Sequence, residues 1–163
     1  MSFYWYERDK DLLKDEIDAM SKFEAFSHFQ MGKLSNGKLY WYGSIKPGLF
    51  RSHKPWHIQA VYQHNHPSTT GPDGLQFAGS VRVYSIEPNL DEIVKSTGLY
   101  IPHTLRDDAG KIYMCTSGEE HIDVGEINTS AASHLAWAVK WISAYELWVA
   151  GELSTEDFRG HKI

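Results

Sequence analysis

The segment from Ser130 to Gly151 constrains the fold most, because it is apolar on two adjoining faces at helical spacing. One stripe comprises Leu135, Ala138, Val139, Ile142, Tyr145 and Val149. The other comprises Trp137, Trp141, Tyr145 and Trp148. An ordinary surface helix buries a single stripe, so this helix is predicted to lie on a sheet and to be covered along its side. Thr129 or Ser130 can cap its start, Gly151 can end it, and we interpret the tryptophans as core residues.

Near the N-terminus, apolar residues again recur at helical spacing. The stripe comprises Leu13, Ile17, Met20 and Phe23 or Glu24, flanked by Leu12, Ala19 and Phe26. The pattern predicts one amphipathic helix from Glu7 to about Phe29.

The middle of the chain alternates apolar and polar residues in segments 56–62 and 80–86, which is typical of strands. One face of the first strand carries Ile58, Ala60 and Tyr62. The second opposes Val81 and Val83 to Arg82 and Tyr84. With the aromatic run 39–42, which follows a turn at 35–37, these segments predict an antiparallel meander of three or four strands. Pro47-Gly48 should break the first strand, residues 67–74 should form a long turn, and a short helix should span Asn89–Thr97.

Composition favours one α+β domain spanning residues 1–163. Hydrophobic residues make up 42% of the chain, which is enough for a core without disulfides or metals. The net charge is −5 and the basic residues are dispersed, which argues against nucleic acid as a partner. No apolar run is long enough to cross a membrane, and the first residues lack the features of a signal peptide. We therefore expect a cytoplasmic protein with no membrane partner.

Cys115 is the only cysteine, so the chain has no internal disulfide and no multi-cysteine zinc site. Any sulfur chemistry must be that of one thiolate. An inert core cysteine is the alternative, since this residue type is often buried. Polar segments at 102–110 and 116–121 flank the cysteine, and we expect them to leave the thiol reachable.

Three sequence features together resemble a known family. They are Pro102-His103, then Gly110-Lys111-Ile112 leading to Cys115, and then the segment 140–151, which contains a Tyr-Glu-x-Trp pattern followed by a glycine. With the order helix, meander, cysteine and helix, residues 38–151 resemble divergent bacterial ubiquitin-conjugating enzymes. Such proteins are encoded in antiphage defence operons, either CBASS or bacterial ubiquitin-like modification systems.

This resemblance implies an α+β fold of the ubiquitin-conjugating type, with a meander between N- and C-terminal helices. It implies that Cys115 carries the carboxyl terminus of a partner as a thioester and transfers it to an amine, without a cofactor or metal. The implied partner is a ubiquitin-like protein with its activating enzyme, or a CD-NTase-type nucleotidyltransferase whose own carboxyl terminus is conjugated.

Two departures from the family pattern bear on the site. The family places its nucleophile three residues after the glycine, which is Tyr113 here, and Cys115 comes two residues later. Because residues two apart on a strand point to the same side, the thiol can still face the site. The family's His-Pro-Asn motif is replaced by Pro102-His103-Thr104, which leaves the oxyanion donor open.

Thioester transfer needs a thiolate, a donor to the oxyanion and a group that receives the amine. Cys115 is the only candidate thiolate. His103 or His121 could donate to the oxyanion, or could be structural, and we assign Cys115 and His103 as the catalytic pair. Asp107 and Asp108 could receive the amine, but a solvated turn is the favoured interpretation.

Two other functions stay open. His64-Asn65-His66-Pro67 follows a strand, and histidines two apart on extended backbone point the same way, as a zinc site requires. The same His-x-His-Pro string resembles the start of the metal motif of JAMM-type isopeptidases. The aspartate that completes that motif is missing at its spacing, and Asp73 comes too early. The other alternative is a non-catalytic module that binds a ubiquitin-like protein or a nucleotidyltransferase, for which the displaced cysteine is the main argument.

Overall fold

The computed structural model describes residues 4–46, 54–68, 79–116 and 130–159. The helices in these ranges are α1 (Trp5–Arg8), α2 (Lys10–Lys22), α3 (Leu90–Thr97), α4 (Ala131–Val149) and α5 (Thr155–Arg159). The strands are β1 (Gln30–Lys33), β2 (Leu39–Ile45), β3 (Trp56–Tyr62), β4 (Val81–Glu87), β5 (Thr104–Arg106) and β6 (Ile112–Met114). The predicted α+β class, with an antiparallel sheet and helices at both ends, is confirmed.

Within the described residues the strands form one antiparallel sheet in the order β1-β2-β3-β4-β6-β5. The predicted meander of three or four strands is confirmed as β2-β3-β4 with β1 beside β2, and β6 and β5 extend the sheet to six strands. The sequence pattern did not single out β1, β5 and β6, because they have only three or four residues each, too few for alternation to stand out. Gly110, at φ +83°, closes the turn between β5 and β6.

The helices cover one face of the sheet. Trp56, Ile58, Ala60 and Tyr62 of β3 belong to the core on that face, together with Val81, Val83, Ile112 and Met114. The predicted inward faces of β3 and β4 are therefore confirmed. The predicted break at Pro47-Gly48 and most of the turn at 67–74 lie outside the described residues.

The C-terminal helix α4 packs on β3 and β4, with Trp141 and Ile142 fully buried. Ser130 caps it by accepting a hydrogen bond from the Ser133 amide, and Gly151 follows its end at φ +79°, as predicted. Phe158 of α5 covers its side. Val149 was wrongly assigned to the buried stripe and is 63% exposed, because it lies in the last turn, beyond the sheet. Among the described residues, no helix is sufficiently long and apolar to span a membrane.

The single helix predicted from Glu7 to Phe29 is wrong. Asp9 separates α1 from α2 and caps α2 by accepting from the Leu12 amide at 3.0 Å. The second helix ends at Lys22, and Phe26 and Phe29 reach the core from turns. Phe23 and Phe26 continue the apolar spacing beyond Lys22, so the sequence pattern did not indicate that the helix ends there.

The buried face of α2 also differs from the predicted stripe. Ile17 and Phe23 are 39% and 54% exposed, whereas Met20 is buried as expected. Glu16, a charged residue left out of the stripe, is buried beside Met20. A carboxylate at a core position requires partners that replace water.

Those partners come from the sheet and from α4. Glu16 Oε1 accepts hydrogen bonds from the Tyr62 hydroxyl at 2.6 Å and from the Ala131 amide at 2.8 Å. The Tyr62 hydroxyl in turn accepts from Trp41 Nε1 at 2.8 Å. Burial alone would raise the pKa of Glu16, but the nearby His66 imidazole and the two donors hold that pKa below its usual value. The carboxylate thus joins α2, β3 and the first turn of α4.

Candidate functional site

The β5–β6 hairpin brings the two assigned catalytic residues together through their backbones. Thr104 pairs with Met114, and the ladder continues with a hydrogen bond from the Cys115 amide to the His103 carbonyl at 3.2 Å. His103 and Cys115 are thus neighbours across the two strands, twelve positions apart in the chain.

Cys115 directly follows β6, which ends at Met114. It is 7% exposed, so the expectation of a reachable thiol is wrong for the described structure.

The side chains around Cys115 alternate between the two faces of the sheet. Met114 belongs to the core beneath the helices, and the Thr116 hydroxyl contacts His134 Nδ1 of α4 at 2.8 Å. Tyr113 belongs to a separate cluster with Val61 and Tyr84. By alternation Cys115 shares the face of Tyr113, away from the helices. That the thiol faces the reaction site stays a prediction.

A buried cation lies on that same face. Val83 pairs with Met114, and this antiparallel register, extended by one residue beyond the end of β6, sets Arg82 opposite Cys115. The Arg82 guanidinium is buried and lies 4.9 Å from the centre of the Tyr113 ring. Burial, and after it the charge of Arg82, lowers the pKa of Lys38 two strands away. The alternation in β4 correctly opposed Arg82 to Val81 and Val83, but it gave no link between this strand and Cys115.

His103 is directed differently from Cys115. Its backbone is left-handed, at φ +59°, which is uncommon for a residue with a Cβ. The imidazole is buried and packs edge-on against Phe158, with ring centroids 5.9 Å apart. Its carbonyl accepts from Trp141 Nε1 at 2.7 Å as well as from the Cys115 amide. The main chain of His103 therefore connects the hairpin to α4.

A second histidine supports the strand end that carries Cys115. His134 is fully buried in α4 and contacts the Thr116 hydroxyl. Burial, with a smaller contribution from His66, lowers the pKa of His134 to about 4, so the ring is neutral at pH 7. Sequence analysis missed this residue, because a histidine within an apolar helix carries no signal of its partner.

The acidic turn is built as the favoured interpretation predicted. Asp107 Oδ1 accepts from the amides of Ala109 and Lys111, and its Oδ2 accepts from the Tyr84 hydroxyl at 2.9 Å. Asp108 is exposed. The Asp107 carboxylate thus holds the turn, and His121 lies outside the described residues.

The paired-histidine hypothesis fails on geometry. Residues 64–67 form a turn rather than extended backbone, so the two rings diverge. His66 is buried, with Nδ1 2.8 Å from the Ser80 hydroxyl and Nε2 3.8 Å from Glu16 Oε2. His64 is exposed and stacks on Tyr4. In the described part of the chain, no group of three or more His, Cys, Asp or Glu residues could hold a metal ion.

An antiparallel sheet covered on one face by N- and C-terminal helices, with a cysteine directly after an interior strand, is consistent with a protein of the ubiquitin-conjugating type. The family model described as Type II CBASS E2 protein matches residues 16–154. The chain belongs to this family, which associates it with conjugation in antiphage defence. No curated protein matches the chain.

The buried His134 predicts a specific pH dependence of stability. The unfolded chain protonates this residue near pH 6.5 and the folded chain only near pH 4, so the free energy of unfolding should fall as the pH drops between these values. The loss attributable to His134 should be on the order of 3 kcal/mol by pH 4. Urea unfolding at a series of pH values measures it.

His134→Gln should flatten this part of the profile, whereas the matched control His57→Gln, which changes a half-buried ring on β3, should not. Equal slopes in wild type and His134→Gln would contradict the assignment.

Proposed function

We propose that this chain is a conjugation-type transferase in which Cys115 carries a partner's carboxyl terminus as a thioester and passes it to an amine. The main supporting observation is that the only cysteine of this Type II CBASS E2 family member directly follows the interior strand β6 and donates a backbone hydrogen bond to His103, within the matched residues.

The chemistry has two steps. The Cys115 thiolate attacks the activated carbonyl carbon of the partner's terminus, the activating group leaves, and a C–S bond forms. An amine then attacks the thioester carbon, the C–S bond breaks, and the amine loses a proton as an amide and a free thiolate are produced. The partner is a ubiquitin-like protein supplied by an activating enzyme, or a CD-NTase-type nucleotidyltransferase.

Arg82 supports this assignment electrostatically. A guanidinium beside a cysteine favours the thiolate, which is both the nucleophile and the leaving group in this chemistry. Because Cys115 is 7% exposed, binding of the partner has to uncover the sulfur before attack.

The oxyanion donor in this proposal is His103. Its imidazole packs against Phe158, so it has to turn toward the thioester when the partner binds. A purely structural His103 is the competing account, supported by the contacts of its carbonyl with Trp141 and Cys115.

A non-catalytic binding module is the second candidate. The burial of Cys115 and its position two residues beyond the family's usual nucleophile favour it. In that case the fold presents a ubiquitin-like protein or nucleotidyltransferase to another enzyme and carries no thioester.

Adduct formation tests whether Cys115 is the nucleophile. Incubation with the partner, and with an activating enzyme where one is required, should give an adduct that a thiol reagent cleaves. Cys115→Ala should abolish the adduct, and Cys115→Ser should convert it to an ester that resists thiols. Intact-mass spectrometry measures both. An adduct that persists in Cys115→Ala would refute the assignment, and a wild type that forms none would favour the binding module.

The discharge rate of the thioester tests the role of His103 as oxyanion donor. A donor to the oxyanion acts mainly in the transition state, so His103→Ala should slow discharge of a preformed thioester about 10²–10³-fold and leave partner affinity unchanged. Single-turnover discharge to an amine, at matched concentrations of folded protein, measures the rate.

A structural role predicts a different outcome. His103→Ala would then lower the melting temperature, while the folded fraction discharged at the wild-type rate. Phe158→Leu is the matched control, because it changes the packing around the ring without removing the imidazole.

A further inference from the structure

A groove of about 1010 Å³ opens between α3, the end of α4 and the ends of β3 and β4. Its walls include Trp56 at the start of β3, Ile93 of α3, and Tyr145 and Val149 of α4. Trp56 is buried, whereas Val149 is 63% exposed. The surface of the groove is mainly apolar, with Trp56 at its buried base and Val149 open to solvent.

Carboxylates surround this apolar surface. Glu87, Glu92 and Glu152 are exposed at the rim, and Glu146 lies deeper. Lys54 is the one lysine or arginine among the described lining residues, which also include His57. Charge complementarity therefore favours a cationic occupant with an apolar portion.

Two further observations point to a cation at the same place. Glu146 Oε1 accepts from Trp56 Nε1 at 3.2 Å, while its Oε2 is buried and has no hydrogen-bond partner among the described residues. A buried carboxylate oxygen without a donor is costly, and an ammonium or guanidinium would satisfy it. The negative end of the α4 dipole also lies here, and the last turn of this 19-residue helix has no basic residue to compensate it.

We propose that this groove binds a basic, apolar segment of a partner protein, with a lysine or arginine head group on Glu146. The methylene stem and neighbouring apolar side chains of that segment would cover Tyr145 and Val149.

The groove is separate from the thioester site. Strand β4 has Arg82, the neighbour of Cys115, near its start and Glu87, a groove residue, at its end. Five residues of extended strand separate them by about 17 Å. The groove also lies toward the helices, whereas Cys115 shares the opposite face with Tyr113. The proposed contact is therefore non-covalent and does not depend on the transfer chemistry.

The test uses the full chain carrying Cys115→Ala, and the probe is the peptide acetyl-Lys-Leu-Lys-Leu-Lys-amide. Titration followed by ¹H–¹⁵N NMR should move the indole N–H signal of Trp56, which reports directly on Glu146, together with amides that line the groove. Glu146→Gln keeps an acceptor for Trp56 and removes the charge, so it should weaken binding about tenfold.

The matched control is Glu156→Gln on the exposed side of α5, which removes the same charge outside the groove and should change affinity less than twofold. Glu92→Gln at the exposed rim serves as a second variant should Glu146→Gln fail to fold, and it should weaken binding more than the control does. The proposal is overturned by the absence of Trp56 shifts at millimolar peptide, by equal binding of acetyl-Glu-Leu-Glu-Leu-Glu-amide, or by equal losses in Glu156→Gln and the groove variants.

Discussion

The carboxylate of Glu16 is the contact on which the rest of the structure depends. It accepts from Tyr62 of β3 and from the Ala131 amide at the start of α4, and it is buried. The Tyr62 hydroxyl in turn accepts a hydrogen bond from Trp41 Nε1, which extends the network to β2. Burial raises the pKa of Tyr62 well above its ordinary value, and Glu16 adds to that effect, so the phenol stays a donor. One charged group thus fixes the helical layer on the sheet.

From that contact, α4 determines the geometry of the candidate site. Its first turn is held by Glu16, His134 then contacts Thr116 beside the cysteine, and Trp141 donates to the His103 carbonyl. Both strand ends that meet at Cys115 are therefore fixed by one helix. Substitutions on α4 can disturb the site without contacting the sulfur, which is why folded protein has to be matched in every transfer assay.

Sequence patterns predicted the parts of the fold that are long and regular. The bounds of β3 and the start of α4 followed from alternation and capping, because seven residues or more repeat one period. The burial of Glu16 was missed because its partners lie 46 and 115 residues away. Strands β4 and β6 are adjacent in the sheet, but β5 lies between them in the chain. The sequence pattern therefore did not connect Arg82 with Cys115. The assignment of His103 and Cys115 as the catalytic pair came from the family resemblance and the needs of thioester transfer, not from periodicity.

A double-mutant cycle between Glu16→Gln and Tyr62→Phe tests most directly whether this buried contact organises the fold. Urea unfolding of the wild type, both single variants and the double variant gives the coupling energy. Because the hydrogen bond is charged and buried, we expect coupling of about 1.5–3 kcal/mol, with each single variant less stable than the wild type. Additive losses, with coupling below about 0.5 kcal/mol, would contradict the account.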